Sequence, residues 1–85
     1  MSNNQIEEIQ ELTEQVADQD MDSLDWMHLV FVVENHVDAP DQLNYPHADR
    51  LFAAIIRHYP EKLDELIGEL DGKVAQYVRR RRQAL

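Results

Sequence analysis

No cysteine occurs in the 85 residues, so neither a disulfide nor a thiolate zinc site can stabilise this chain. Glycine is almost as scarce, with two residues, and no glycine-rich loop is available to cradle a phosphate. The longest apolar run, Leu29 to Val33, is five residues, against the roughly twenty that a membrane helix needs. The opening Met-Ser-Asn-Asn-Gln has neither the basic nor the apolar region of a secretory signal. We therefore expect a cytoplasmic protein with no membrane contact. The most informative absence is of one charge sign: the first forty-nine residues contain no Lys or Arg, and the first strong base is Arg50.

Those forty-nine residues hold twelve acids, whereas the remaining thirty-six hold five acids and eight bases, four of them in Arg79-Arg80-Arg81-Arg82. The net charge of −9 argues against nucleic acid or an anionic membrane as the partner of the acidic half. It favours a basic protein surface instead. Two lysines against six arginines and seventeen acids also fit the surface chemistry of proteins from salt-loving organisms, in which the acids serve solubility. A chain this short buries only a little over half of its unfolded surface, and self-association is a common remedy.

The pattern predicts a single all-α domain over 1–85, a small four-helix bundle. Ser2 with Gln5 forms a capping box that opens a helix over about 3–17. On that helix Ile6, Ile9, Leu12, Thr13 and Val16 take one side, and Glu7, Glu8, Glu11 and Glu14 the other. Asp22 or Ser23 caps a second helix over about 22–36, with Asp25 in its first turn. Apolar residues, among them Trp26, Met27 and Phe31, cover well over half of its circumference. Residues 38–46 read as a loop, and Pro46 starts a third helix over about 47–59. Pro60 ends it and starts a fourth. Leu63, Leu66, Ile67, Leu70, Val74, Tyr77 and Val78 keep one stripe through Gly72, so a single long helix over about 61–82, free to bend at Gly72, is expected. Gly68, Gly72 and Ala75 lie opposite that stripe, either as a strip for close backbone approach or as poor helix positions without a partner. Residues 79–85 form a basic C-terminal tail, and a homodimer through the last helix is a further expectation.

No nucleophile has a visible base and orienter, and the carboxylates form faces rather than pocketed pairs, so no catalytic residue and no cofactor is expected. His36-Val37-Asp38 and His47-Ala48-Asp49 bracket the loop with Asp41 between them. Imidazole and carboxylate together can bind a divalent ion, yet the spacing fits no metal motif and no metal is expected.

Asp22-Ser23-Leu24, followed by Asp25, Leu29, Val30, Glu34, Asp38, Pro40 and Asp41, resembles the attachment region of acyl and peptidyl carrier proteins. Ala53-Ala54-Ile55 is similar to part of their last helix. That resemblance implies phosphopantetheine on Ser23. The chain departs from it in a short segment before the serine, in Asp20 where a glycine is usual, and in some twenty-five extra residues at the end. Asp41, Tyr45 and Pro46, with His36 upstream, resemble the partner-binding segment of nuclease-toxin immunity proteins, although Asn44 stands in place of their second tyrosine.

The leading expectation is a non-enzymatic interaction module, an inhibitor or immunity-type protein able to mimic nucleic acid. Its acidic half, Glu7, Glu11, Glu14, Asp18, Asp20, Asp22 and Asp25, would cover a basic surface of a nucleic-acid-binding protein, with Asp41 and Tyr45 as weaker loop contacts. The alternatives are a carrier modified on Ser23 and a small structural helical oligomer.

Overall fold

Five amphipathic segments fold as helices in a computed structural model that describes residues 3–42 and 45–85. They are α1 (Asn3–Ala17), α2 (Trp26–His36), α3 (Pro46–His58), α4 (Pro60–Glu69) and α5 (Gly72–Ala84). The described residues contain no strand, and the expected all-α class holds. Ser2, the first member of the expected capping box, lies outside the described residues.

The 3.6-residue period brings Ile9, Leu12 and Val16 of α1 to the core, where each is almost fully buried. α1 packs most extensively on α3, which answers with Ala48, Leu51, Phe52 and Ile55. The chain leaves α1 through Gln19, whose φ of 60° lies in the left-handed region. Gln19 N–H donates to the Val16 carbonyl and Asp20 N–H to that of Gln15, a Schellman closure that satisfies the helix end.

α2 starts later than expected. Asp25, not Asp22 or Ser23, is its N-cap: the carboxylate accepts from the His28 backbone N–H at 3.1 Å. Residues 21–23 form a turn instead. Asp22, Ser23 and Asp25 all suit a cap by type, and Asp25 is the one that leaves Leu29, Val30, Val32 and Val33 facing the core.

The single helix expected over 61–82 is two helices, broken at Leu70–Asp71. Leu70 is extended at ψ 157°, and the Asp71 side chain caps α5 by accepting from Val74 N–H at 3.1 Å. Glu34 of α2 accepts the Asp71 N–H at 3.2 Å and ties the break to the body. The apolar stripe crosses the break because α4 and α5 line one core. Leu63, Leu66, Ile67, Leu70, Val74, Tyr77 and Val78 are all buried within the monomer. The stripe is thus covered by the chain itself. Gly72 begins α5 rather than bending a longer helix. The small-residue strip dissolves as well: Ala75 is in the core, while a Cβ on Gly68 or Gly72 would meet nothing within 4 Å.

The cap assignment has a direct consequence. Asp25→Ala should cost about 1 kcal/mol in urea unfolding, whereas Ser23→Ala should change the midpoint by less than about 0.5 kcal/mol. A larger loss at Ser23 than at Asp25 would place the cap where the sequence first suggested it.

Candidate functional site

Glu7, Glu11 and Glu14 recur at spacings of four and three and so share the face of α1 opposite Ile9, Leu12 and Val16. Asp18, Asp20 and Asp22 follow in the turns after α1, and Asp25 stands at the start of α2. All seven side chains are exposed, and among the described residues none forms an ion pair. Glu8 is half-buried and leaves this face. Arg50 lines a groove with Gln10, Thr13, Glu14 and His47, yet it makes no ion pair with Glu14. Like charges one turn apart on a helix each cost about 0.2–0.5 kcal/mol, so α1 carries a repulsion that no ion pair among the described residues relieves.

Four of the eight bases are engaged elsewhere. Arg81 donates to both oxygens of Asp49, at 3.0 and 2.9 Å, in a two-point contact between α5 and α3. Arg82 pairs with Asp64, and Lys62 with Glu65 at 3.0 Å, its ammonium also lying over the Trp26 ring. Arg80 donates to the Pro40 carbonyl at 2.6 Å and stacks over Tyr77. Residues 79–84 of the stretch expected as a tail belong to α5, and Arg80, Arg81 and Arg82 contact Pro40, Asp49 and Asp64. Lys73, Gln76, Arg79 and Arg80 line an open groove of about 440 Å³ with Pro40 and Asp41. Asp41, expected among the partner contacts, thus sits on the basic side of the molecule.

Tyr45 must also be corrected as a partner contact, because it is only 8% exposed. Its hydroxyl accepts from Ala39 N–H at 2.6 Å and donates to Asp38 at 3.1 Å, closing the loop. Its backbone N–H donates to the Tyr77 hydroxyl at 2.8 Å, and the two rings meet edge-on at 5.4 Å. Burial pushes both phenols up from their ordinary pKa. His36 packs edge-on against Tyr45 at 5.4 Å and His47 at 6.4 Å. The two imidazoles of the His-x-Asp pattern do meet, but their carboxylates do not join them: Asp49 serves Arg81 and Asp38 serves Tyr45. Among the described residues no three metal-binding side chains converge.

Ser23 is exposed in the turn before α2. Two of the apolar side chains that widen the arc of α2 face outward: Met27 is 60% and Phe31 64% exposed. The signal for this was the sheer width of the apolar arc on α2. A helix at the edge of a small bundle cannot bury well over half of its circumference. No helix among the described residues is long and apolar enough to cross a membrane. Comparison with protein families, with curated proteins and with solved structures returned no match, so the two resemblances rest on their own residues.

The half-buried His36 has a titration consequence. Burial, and then the neighbouring His47, lower its pKa, with Asp38 opposing. The folded state therefore holds the neutral imidazole and binds fewer protons than the unfolded chain just below the ordinary histidine value of about 6.5. Stability is fully present above that value and falls as the pH drops through it. Urea midpoints should decline from pH 7.5 to 5.5, before the carboxylates titrate, and His36→Gln should flatten the decline. An equal slope in that variant would assign the effect to other groups.

Proposed function

We propose that this protein is a non-enzymatic binding module whose acidic face, Glu7, Glu11, Glu14, Asp18, Asp20, Asp22 and Asp25, covers a basic surface on a nucleic-acid-handling protein. The observation that supports this most is a contrast within one molecule. Asp49, Asp64 and Glu65 are used by Arg81, Arg82 and Lys62, while seven of the eight acids in the first twenty-five residues are exposed and have no ion partner among the described residues. Glu7, Glu11 and Glu14 add repulsion to α1, and a cationic partner would convert that repulsion into attraction.

A surface of clustered carboxylates presents to a basic groove what a phosphate backbone presents: closely spaced negative charge on a rigid frame. Occupying such a groove excludes nucleic acid, so the proposed outcome is inhibition. Steering by the acidic field speeds encounter and makes binding sensitive to salt.

Immobilised protein should retain a basic, nucleic-acid-binding partner from its host at low salt and release it as NaCl rises beyond a few tenths molar. Adding the free protein should lower the DNA or RNA retained by that partner in a mobility-shift assay. The variant Glu7→Gln/Glu11→Gln/Glu14→Gln should lose about tenfold or more in affinity, or roughly 1.4 kcal/mol. Retention that survives high salt unchanged, or is unaltered in the triple variant, would contradict the proposal.

A further inference from the structure

Met27 and Phe31 lie four residues apart on the outer side of α2 and are the two most exposed large apolar side chains among the described residues. Buried residues flank them in sequence: Leu29, Val30, Val32 and Val33 all face the core. Their exposure is therefore a property of how α2 docks, not of a loosely held segment. Glu34 continues their ridge, three residues after Phe31 and seven after Met27. Asp22 and Asp25 precede the pair at the start of the helix. α2 itself contains no Lys or Arg.

From this arrangement we infer that α2 is the apolar anchor of the acidic face and that its occupant is a basic amphipathic segment. Such a segment inserts apolar side chains between Met27 and Phe31 and sets flanking Lys or Arg against Asp22, Asp25 and the acids of α1. The inference rests on the binding role proposed above and names the chemistry of the partner. Charge complementarity selects this occupant. A second copy of the chain is disfavoured because it brings the same acid-flanked patch and a net charge of −9 to the contact. The division of labour follows that of other interfaces, in which a central aromatic or thioether anchor holds the partner and charges at the rim set its approach. Methionine and phenylalanine together suit a partner whose apolar residues vary in shape.

The test uses two fluorescein-labelled synthetic peptides of identical Leu, Lys and Arg composition. One places its leucines on a single helical face, and the other is scrambled. Anisotropy titration at low salt should give the amphipathic peptide an affinity about tenfold above that of the scrambled one. Met27→Ser/Phe31→Ser should erase that preference while leaving scrambled-peptide binding and the circular dichroism melt unchanged, since both side chains are exposed. Equal binding of the two peptides to the unmodified protein overturns the inference and leaves the acidic-face reading standing. Binding of neither peptide overturns both. A preference that persists in the double variant puts the anchor elsewhere and overturns the inference. Sedimentation that finds a dimer dissolved by the double variant also overturns it, because the patch then belongs to self-association.

Discussion

The Tyr77 hydroxyl, buried in the middle of the molecule, accepts the backbone N–H of Tyr45 at 2.8 Å. Tyr45 is the residue that precedes Pro46 and opens α3, and its side chain lacks a capping hydrogen bond there. The exposed start of a helix must satisfy its own N–H groups or have them satisfied from outside. Here the proline removes one donor, and α5 supplies the acceptor for the residue before it. Leaving a buried amide without a partner would cost about 1–3 kcal/mol. Through this contact the last helix is fixed against the third, and the loop that carries Asp38 and Ala39 is closed over Tyr45. One turn beyond Tyr77, Arg81 then meets Asp49.

The charge distribution follows from that docking. Once α5 lies against α3, its terminal arginines reach Asp49, Asp64 and the Pro40 carbonyl, all on the C-terminal side of the fold. These bases are not directed at the acids of α1 and the following turns, and no Lys or Arg in the first forty-nine residues replaces them. The molecule thus separates its charges spatially. One side is internally compensated, with a modest basic groove. The other carries the exposed acids of α1 and the following turns, and α2, which Asp25 caps, exposes Met27 and Phe31. Apart from the hydroxyls of Tyr45 and Tyr77, the buried side chains among the described residues are apolar, so apolar contacts carry most of the stability and the surface is left to bear this asymmetry.

Much of the architecture was legible because it depends on local pattern. α1 spans the residues its amphipathic period marks, and Pro46 and Pro60 open helices where a fixed φ and a missing N–H are tolerated. The break at Leu70–Asp71 was not legible from the stripe. Periodicity reports which side chains face a core, not whether the backbone between them is continuous. Likewise, Asp22, Ser23 and Asp25 are alike as caps, and only the packing of Leu29 and Val33 selects among them. The acidic face could be read because its members are close in sequence. Arg81–Asp49 and Tyr45–Tyr77 join residues thirty-two positions apart, and no local signal announces them. Tyr45 was expected outside for that reason, and the outward position of Met27 and Phe31 was not specified, since the width of an apolar arc does not reveal how a helix is rotated against its neighbours.

The acids of α1 repel one another with no ion pair among the described residues to relieve them. Thermal unfolding as a function of NaCl measures this directly. The account predicts that the midpoint rises as salt is raised from about 10 to 150 mM, over which the screening length falls to about 8 Å. It also predicts that this gain shrinks markedly in Glu7→Gln/Glu11→Gln/Glu14→Gln. A midpoint that is flat or falls with salt, or a gain the triple variant leaves intact, would mean that these carboxylates are compensated and would contradict the account.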